Sequence, residues 1–243
     1  MKANKNKPNY GRSGSIKVFT PEGISESVNV WQEGKKASYW RVKDFYHTFG
    51  LGFGYVEKIW NYSDDGSKWG IFEQNSPVQG VWAGLRYDPY FAPRIFGLGI
   101  STGLYYECYS RTAAGQNGYN YTFNEHAFSA PVHLNYRIDF DEGGIFGIFV
   151  HCGLNFDLGV AASLQNDDGY VVKKDNLYKG GLNRYNISFG YGGGLHIHRV
   201  LLDFTTTKGL INHSKDDAYR LTQNTLYKLS ITIMFNYPPK KTK

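Results

Sequence analysis

The chain has 243 residues, enough for one domain with an additional segment and for a sizeable core. Aromatics make up 17% of it, with 20 Tyr and 16 Phe beside 29 Gly. That mixture favours strands over helices, because aromatic side chains suit a pleated surface and glycine weakens a helix. No stretch approaches the ~18 consecutive apolar residues of a transmembrane helix. The mean hydropathy of −0.45 therefore excludes a helical membrane protein but not a barrel, whose lipid face uses only alternate residues.

The net charge of +6 sits at the ends. Residues 1–43 carry nine Lys or Arg against three Glu, the tail beyond Tyr237 adds three Lys, and the segment between is net −3. A chain of pI 9.1 invites a nucleic-acid partner, but no folded stretch combines basic and aromatic residues in the way such binding needs. No nucleic-acid partner is expected. Met1 to Lys7 resembles the charged start of a signal peptide without an apolar segment after it, so the signal of an exported protein is expected to be missing from this chain.

From Phe45 onward the dominant signal is alternation with a period of two, which marks strands with two unlike faces. The first run, Phe45–Trp60, sets Phe49, Leu51, Phe53 and Tyr55 against Thr48, Gly50, Gly52 and Gly54. The second, Val78–Asp88, opposes Val81, Ala83, Leu85 and Tyr87 to Gly80, Trp82, Gly84 and Arg86. In the third, Leu98, Ile100, Leu104 and Tyr106 alternate with Gly99, Ser101, Gly103 and Glu107. The fourth, Glu125–Asp139, sets Phe128, Val132, Leu134 and Ile138 against Ser129, Pro131, His133, Asn135 and Arg137. The fifth is the most regular, with Phe146 through Val160 at even positions opposing Gly147, Phe149, His151, Gly153, Asn155, Asp157 and Gly159. The sixth opposes Ile187, Phe189, Tyr191, Leu195 and Ile197 to Ser188, Gly190, Gly192, Gly194, His196 and His198. The seventh, Val200, Leu202 and Phe204 against Asp203, Thr205 and Thr207, is short. The eighth pairs the apolar set from Tyr227 to Tyr237 with Lys228, Ser230, Thr232 and Asn236.

Connections alternate in length: long over 61–77, 110–124, 162–183 and 212–223, short over 89–94, 140–144 and around Arg199. Up-and-down membrane barrels have long outer loops and short periplasmic turns. The expected architecture is all-β, an eight-stranded antiparallel up-and-down transmembrane barrel over residues 44–237. Residues 1–43 are expected as a periplasmic extension and 238–243 as a basic tail, with both termini periplasmic. Short alternating pieces such as Ile24–Trp31 would raise the count to ten strands, but they fall short of the ~9–11 residues a spanning strand requires.

The less apolar face decides between membrane and water. A soluble lipocalin-like barrel turns Lys, Glu and Asp outward, whereas here that face is mostly Gly, Ser, Thr and Asn with a few His. Such a face suits a crowded lumen. The apolar face carries almost no charge between its ends, as hydrocarbon demands, where Lys or Arg at mid-depth costs ~2–4 kcal/mol. Tyr and Phe gather near strand ends, as interfacial girdles do. Cys108 and Cys152 fall on the lipid side of strands that are not neighbours, which argues against a disulfide.

Three segments carry a family resemblance. FSAPVHLNYRI (128–138), IFVHCGLNFDLGVAAS (148–163) and YNISFGYGGGLHIHRVLLDFTTTKGLIN (185–212) resemble the fourth strand, the fifth strand and the sixth-to-seventh hairpin of the PorT-like outer-membrane β-barrel family. The resemblance covers about the last half of the chain. It implies a small Gram-negative outer-membrane barrel, some relatives being subunits of secretion or surface machineries. The residues after Tyr237 depart from the aromatic C-terminus usual for such barrels.

The lumen is expected to gather Arg86, Glu107, Arg137 and Asp157 as a polar network, with His133, His151, His196 and His198 as weak metal candidates. A hairpin centred on Glu142 would set His133 across from His151 and Asn135 across from Phe149. His196 and His198, with Asp203 nearby, make a second weak metal grouping. The plainer expectation for both is a buried network that plugs a narrow barrel, with no cofactor and no metal. A lipid A-modifying enzyme would need a His, a Ser and an acid at the outer rim; Glu125, His126 and Ser129 lie there, but parity turns His126 to the opposite face. GYGGG (190–194) lies mid-strand with no helix after it, unlike a phosphate loop. The chain is thus expected to be no enzyme and no general pore. Its expected role is an accessory subunit or interaction scaffold in contact with outer-membrane lipid, lipopolysaccharide and a protein partner. Loops 162–183, with Asp167, Asp168, Lys173, Lys174 and Lys179, and 110–124 are the expected recognition elements.

Overall fold

A computed structural model describes residues 12–19, 25–32, 46–62, 77–91, 97–114, 120–140, 145–167, 172–215 and 220–235. The chain divides into two units, Met1–Lys43 and Asp44–Lys243. In the first, β1 (Arg12–Phe19) and β2 (Ser25–Gln32) form an antiparallel hairpin with Ile16 across from Val28.

In the second unit, eight strands close into a ring: β3 (Tyr46–Tyr62), β4 (Pro77–Tyr90), β5 (Gly97–Ala114), β6 (Asn120–Asp139), β7 (Phe146–Asp167), β9 (Tyr185–Ile197), β10 (Val200–Gly209) and β11 (Leu221–Met234). Every neighbour in the ring is antiparallel, and β11 pairs back onto β3. Short β8 (Val172–Asn176) adds to the upper part of β7 and is followed by one helical turn, α1 (Leu177–Gly180). Closure leaves the spanning strands no unpaired edge, the condition for backbone to sit in hydrocarbon. Tracing the register once around from Gly50 returns to β3 about ten residues further on, the stagger that tilts strands in a small barrel. Connections at one end, 91–96, 140–145 and 198–199, are short; at the other end 63–76, 168–184 and 210–220 are longer, while 115–119 is as short as those opposite.

The expected faces are the observed ones. Leu51, Leu85, Leu104, Leu134, Val150 and Leu229 are 49–57% exposed on the outside of the wall, while Thr48, Arg86, Ser101, His133, His151 and Ser230 are buried inside. A barrel built for water would show the reverse. Aromatic pairs mark the short-turn end of the belt: Phe49 with Phe235 and Phe140 with Phe146, each 5.4 Å between ring centres. Glycine on the inner face makes room for large side chains from across the lumen. A Cβ on Gly52 would lie 2.7 Å from the Trp82 ring, so the indole fits only because that position has no side chain.

Three expectations are corrected. Residues 110–124 are not a long loop, because β5 runs to Ala114 and β6 starts at Asn120. Residues 162–183 likewise contain the end of β7, all of β8 and α1. The eighth strand begins at Leu221, inside the stretch 212–223 expected as loop. β5, β6 and β7 span 18, 20 and 22 residues, well beyond the ~9–11 that cross a bilayer, so one side of the barrel rises above its apolar belt. The loop at 63–76, the turn at 141–144, residues 168–171 and the tail at 238–243 lie outside the described residues.

Candidate functional site

The lumen is filled from wall to wall, in three tiers. At mid-height, Arg86 donates from Nε to both Asp88 oxygens at 3.0–3.1 Å and from Nη1 to Asp203 Oδ2 at 3.0 Å. Ser101 donates to Asp88 at 2.7 Å. Asp203 Oδ1 lies 3.0 Å from His151 Nε2, and His151 Nδ1 lies 2.8 Å from His133 Nδ1. The two imidazoles stack at 4.9 Å with 12° between their planes. His133 Nε2 is 3.1 Å from Asn155 Oδ1.

Proton counting orders this chain. The Asp203 carboxylate only accepts, so His151 Nε2 carries a proton and its Nδ1, in the neutral ring, accepts from His133 Nδ1. His133 Nε2 is then an acceptor, which the Asn155 amide nitrogen, otherwise without a partner, satisfies once the amide is turned over. One arrangement of neutral rings thus meets every requirement. The cavity beside Trp82, Arg86, Tyr105, His133, His151 and Asp203 measures about 30 Å³, room for one or two waters. Among the described residues no three His, Cys, Asp or Glu side chains gather as a metal shell.

The upper tier is aromatic and apolar: Val56, Trp60, Tyr109, Phe123, Leu221 and their neighbours form a core cluster across the barrel. Two ion pairs thread it, Lys58–Glu125 at 3.0 Å and Lys228–Glu107, whose carboxylate also accepts from Tyr109. Lys58 Nζ sits 4.0 Å from the Tyr109 ring centre. Tyr178 of α1 closes this tier. Its ring is 2% exposed, its hydroxyl donates to Glu125 Oε1 at 2.8 Å, and Arg184 covers the ring at 5.2 Å. Burial first, then the nearby Glu125 carboxylate, pushes the phenol pKa well up. The loop after β10 is tied over the same mouth: Lys215 donates to the Tyr178 carbonyl at 2.7 Å, and Asn183 donates to the carbonyls of Asn212 and Ser214 at 3.2 and 3.1 Å. His213, buried under Trp60 at 5.0 Å between ring centres, is held down to about 4 by burial, with Glu125 opposing and Lys58 adding to that shift.

The lower tier closes the short-turn end. Arg137 donates to Asp139 at 2.7 Å, His196 Nε2 lies 2.8 Å from the same carboxylate, and Phe149, Leu201 and Met234 pack together.

The structure brings His133 and His151 together, but not as directly opposed residues. His133 pairs with Gly153, Asn135 with His151 and Arg137 with Phe149, a slip of two residues that keeps the face and lets the imidazoles meet diagonally. His196 and His198 do not form a pair: His198 sits in the tight turn at φ 54° and is exposed. Asp203 joins Arg86 and His151, not His196. Glu107 and Asp157 point inward, Asp157 accepting from Asn186 at 3.2 Å. Glu125 and Ser129 are buried inside, whereas His126 lies on the outer face beside Tyr106 and Cys108. Lys58, Asp88, Lys228 and Tyr178 were not singled out from sequence. The first three share inward parity with small residues on their strands, the one signal available for them; Tyr178 has none.

No protein-family model matches the chain, and no curated protein does. Among solved structures, it is similar to Ail, the attachment invasion locus protein of Yersinia pestis, in complex with the heparin analogue sucrose octasulfate, at 14% identity over 78% of this chain and 99% of that one, TM-score 0.39. It is also similar to Neisserial surface protein A (12%, 78% and 97%, TM-score 0.39) and to the outer membrane protein OprG from Pseudomonas aeruginosa (12%, 77% and 95%, TM-score 0.41). The membrane character rests on the chain's own exposed belt and filled polar interior, the build of a small outer-membrane β-barrel.

Proposed function

We propose that this barrel is a structural or accessory subunit, an interaction scaffold in the outer membrane, and neither a general pore nor an enzyme. The observation that carries this is a lumen filled by side chains at every level, stoppered by Tyr178 at one end and by Arg137, Asp139 and His196 at the other. The cavity beside Trp82, Arg86 and His133, about 30 Å³, is too small to pass a solute. The separation of His126 from Glu125 and Ser129 by the barrel wall supports a non-catalytic role, since a nucleophile and its base must share hydrogen-bond reach.

In this reading the long-loop end faces outward and both termini face the periplasm, where the net +6 of residues 1–43 suits an acidic partner or anionic headgroups. The resemblance of residues 128–138, 148–163 and 185–212 to PorT-like barrels suits the same role. The test has two arms. Purified protein in planar bilayers gives no stable conductance above leak; a steady channel contradicts the role. Co-purification from native membranes recovers a partner that is lost when residues 1–43 are deleted and the barrel still folds; a partner that survives the deletion places the contact elsewhere.

A further inference from the structure

Four rows of side chains cross the outer face of β5, β6 and β7, each fixed by the strand register. The lowest row is Tyr106, Phe128 and Leu158, all about two-fifths exposed and part of the apolar belt. The next is Cys108, His126 and Ala161, where the Tyr106 hydroxyl and the Cys108 sulfur lie 2.9 and 3.4 Å from His126 Nδ1. Above it come Ser110, Asn124 and Ser163, then Thr112, Thr122 and Gln165.

The two upper rows continue onto β8 at Asn176 and Lys174, and their six residues on β5–β7 include no charge and no aliphatic side chain. Each of the six residues ends in a hydroxyl or a carboxamide. They stand ~7 Å apart along the strands and ~5 Å across them, as a flat lattice of donors and acceptors. Ser110 donates to Asn124 at 2.9 Å, and the Thr112 and Thr122 hydroxyls are 3.0 Å apart. These contacts orient the groups and leave spare donors and acceptors on the hydroxyls and the amides.

The lattice continues the lipid-facing surface on the same strands, so what it meets is the layer directly above hydrocarbon. A phosphate layer would be met by a cluster of Arg or Lys forks, whereas the row through Gln165 has a single cation in register, Lys174 on β8. A protein partner would be met by aromatic or aliphatic anchors, which these rows lack on β5–β7. Neutral hydroxyl and amide groups match the hydroxyls of sugars. We propose that the outer face of β5–β7 above the belt binds the saccharide part of an outer-leaflet glycolipid. This rests on the orientation proposed above, with the long-loop end outside.

The full chain is titrated in phospholipid nanodiscs with lipopolysaccharide bearing core sugars, and separately with lipid A lacking them, retention being read by native mass spectrometry. The core-bearing form is expected to bind more tightly. The triple variant Thr122→Ala, Asn124→Ala, Gln165→Ala is expected to weaken it by about tenfold, the sum of three modest hydrogen bonds, and to leave lipid A binding unchanged. Thr112→Ser with Thr122→Ser, which keeps both hydroxyls, retains the preference. Equal binding of the two glycolipids, or a triple variant that binds as the parent does, overturns the proposal. A chain that does not enter the nanodisc at all refutes the membrane reading instead.

Discussion

Tyr178 fits into the barrel wall at Gly159: a Cβ built on that glycine collides with the phenol ring. The stopper at the long-loop end therefore depends on one missing side chain in β7. Gly159→Val should expel Tyr178, uncouple its hydroxyl from Glu125, and cost about 1–3 kcal/mol, the usual penalty of overpacking. Thermal unfolding in detergent, together with faster proteolysis between residues 168 and 184, would register it. An unchanged protease pattern would mean that α1 does not seat there.

The Lys58–Glu125 pair is buried on both sides, with side-chain exposures of 7% and 2%. Removing one charge strands the other. Lys58→Met should destabilise the barrel by about 3–5 kcal/mol, whereas the double replacement Lys58→Met with Glu125→Leu should recover much of that loss. Chemical denaturation of the three variants in one detergent measures the difference.

Asp203 joins the arginine and histidine halves of the mid-lumen network. Asp203→Asn keeps the shape but removes the charge that pairs with Arg86 and leaves one acceptor for two donors. With its oxygen held by Arg86, the amide nitrogen faces His151 Nε2 and opposes the His151 tautomer. Arg86 keeps Asp88, so the loss should fall toward the lower end of the ~3–5 kcal/mol range for broken buried pairs. Imidazole NMR resonances of His133 and His151 should shift together, since their rings share one hydrogen bond. Independent shifts would contradict the proton order derived for the pair.

His213 supplies a pH dependence. Its folded value of about 4 lies below the ~6.5 of an exposed imidazole. Between those values the unfolded chain binds the proton and the folded one does not, so stability rises with pH. The contribution is complete above pH ~6.5, declines as pH falls toward 4, and is level below that. His213→Phe, which keeps a ring under Trp60, should flatten this part of the stability profile; an unaltered slope would assign it to another group.

How much the sequence revealed follows from what alternation encodes. Parity assigns a face and nothing more, so Leu134 outside and His133 inside were legible, as was the split of His126 from Glu125. A slip of two residues leaves parity intact, which is why His133 could be expected opposite His151 when its ladder partner is Gly153. The upper halves of β5 and β6 escaped detection because the pattern inverts there: the outer face turns polar at Ser110, Thr112, Thr122 and Asn124, while Tyr109 and Phe123 are buried inside. On β7 a bulge next to Gly159 shifts the pairing, so that Ala127 faces Gly159 while His126 faces Ala161, and the pattern breaks where the strand continues. Nothing in the local sequence of α1 announces that Tyr178 will meet Glu125, 53 positions away. His198 was misplaced because strand parity was carried one residue into a turn with positive φ.

The central claim is that the outer face of the wall meets hydrocarbon, and Cys152 tests it with the chain's own chemistry. It is a free, exposed cysteine in the belt of β7, flanked on the same face by Val150 and Leu154. With Cys108→Ser as background, a fluorophore on Cys152 in phospholipid vesicles should be quenched by lipids brominated deep in their acyl chains and be shielded from aqueous iodide. Quenching by iodide with no effect of the brominated lipids would contradict the account.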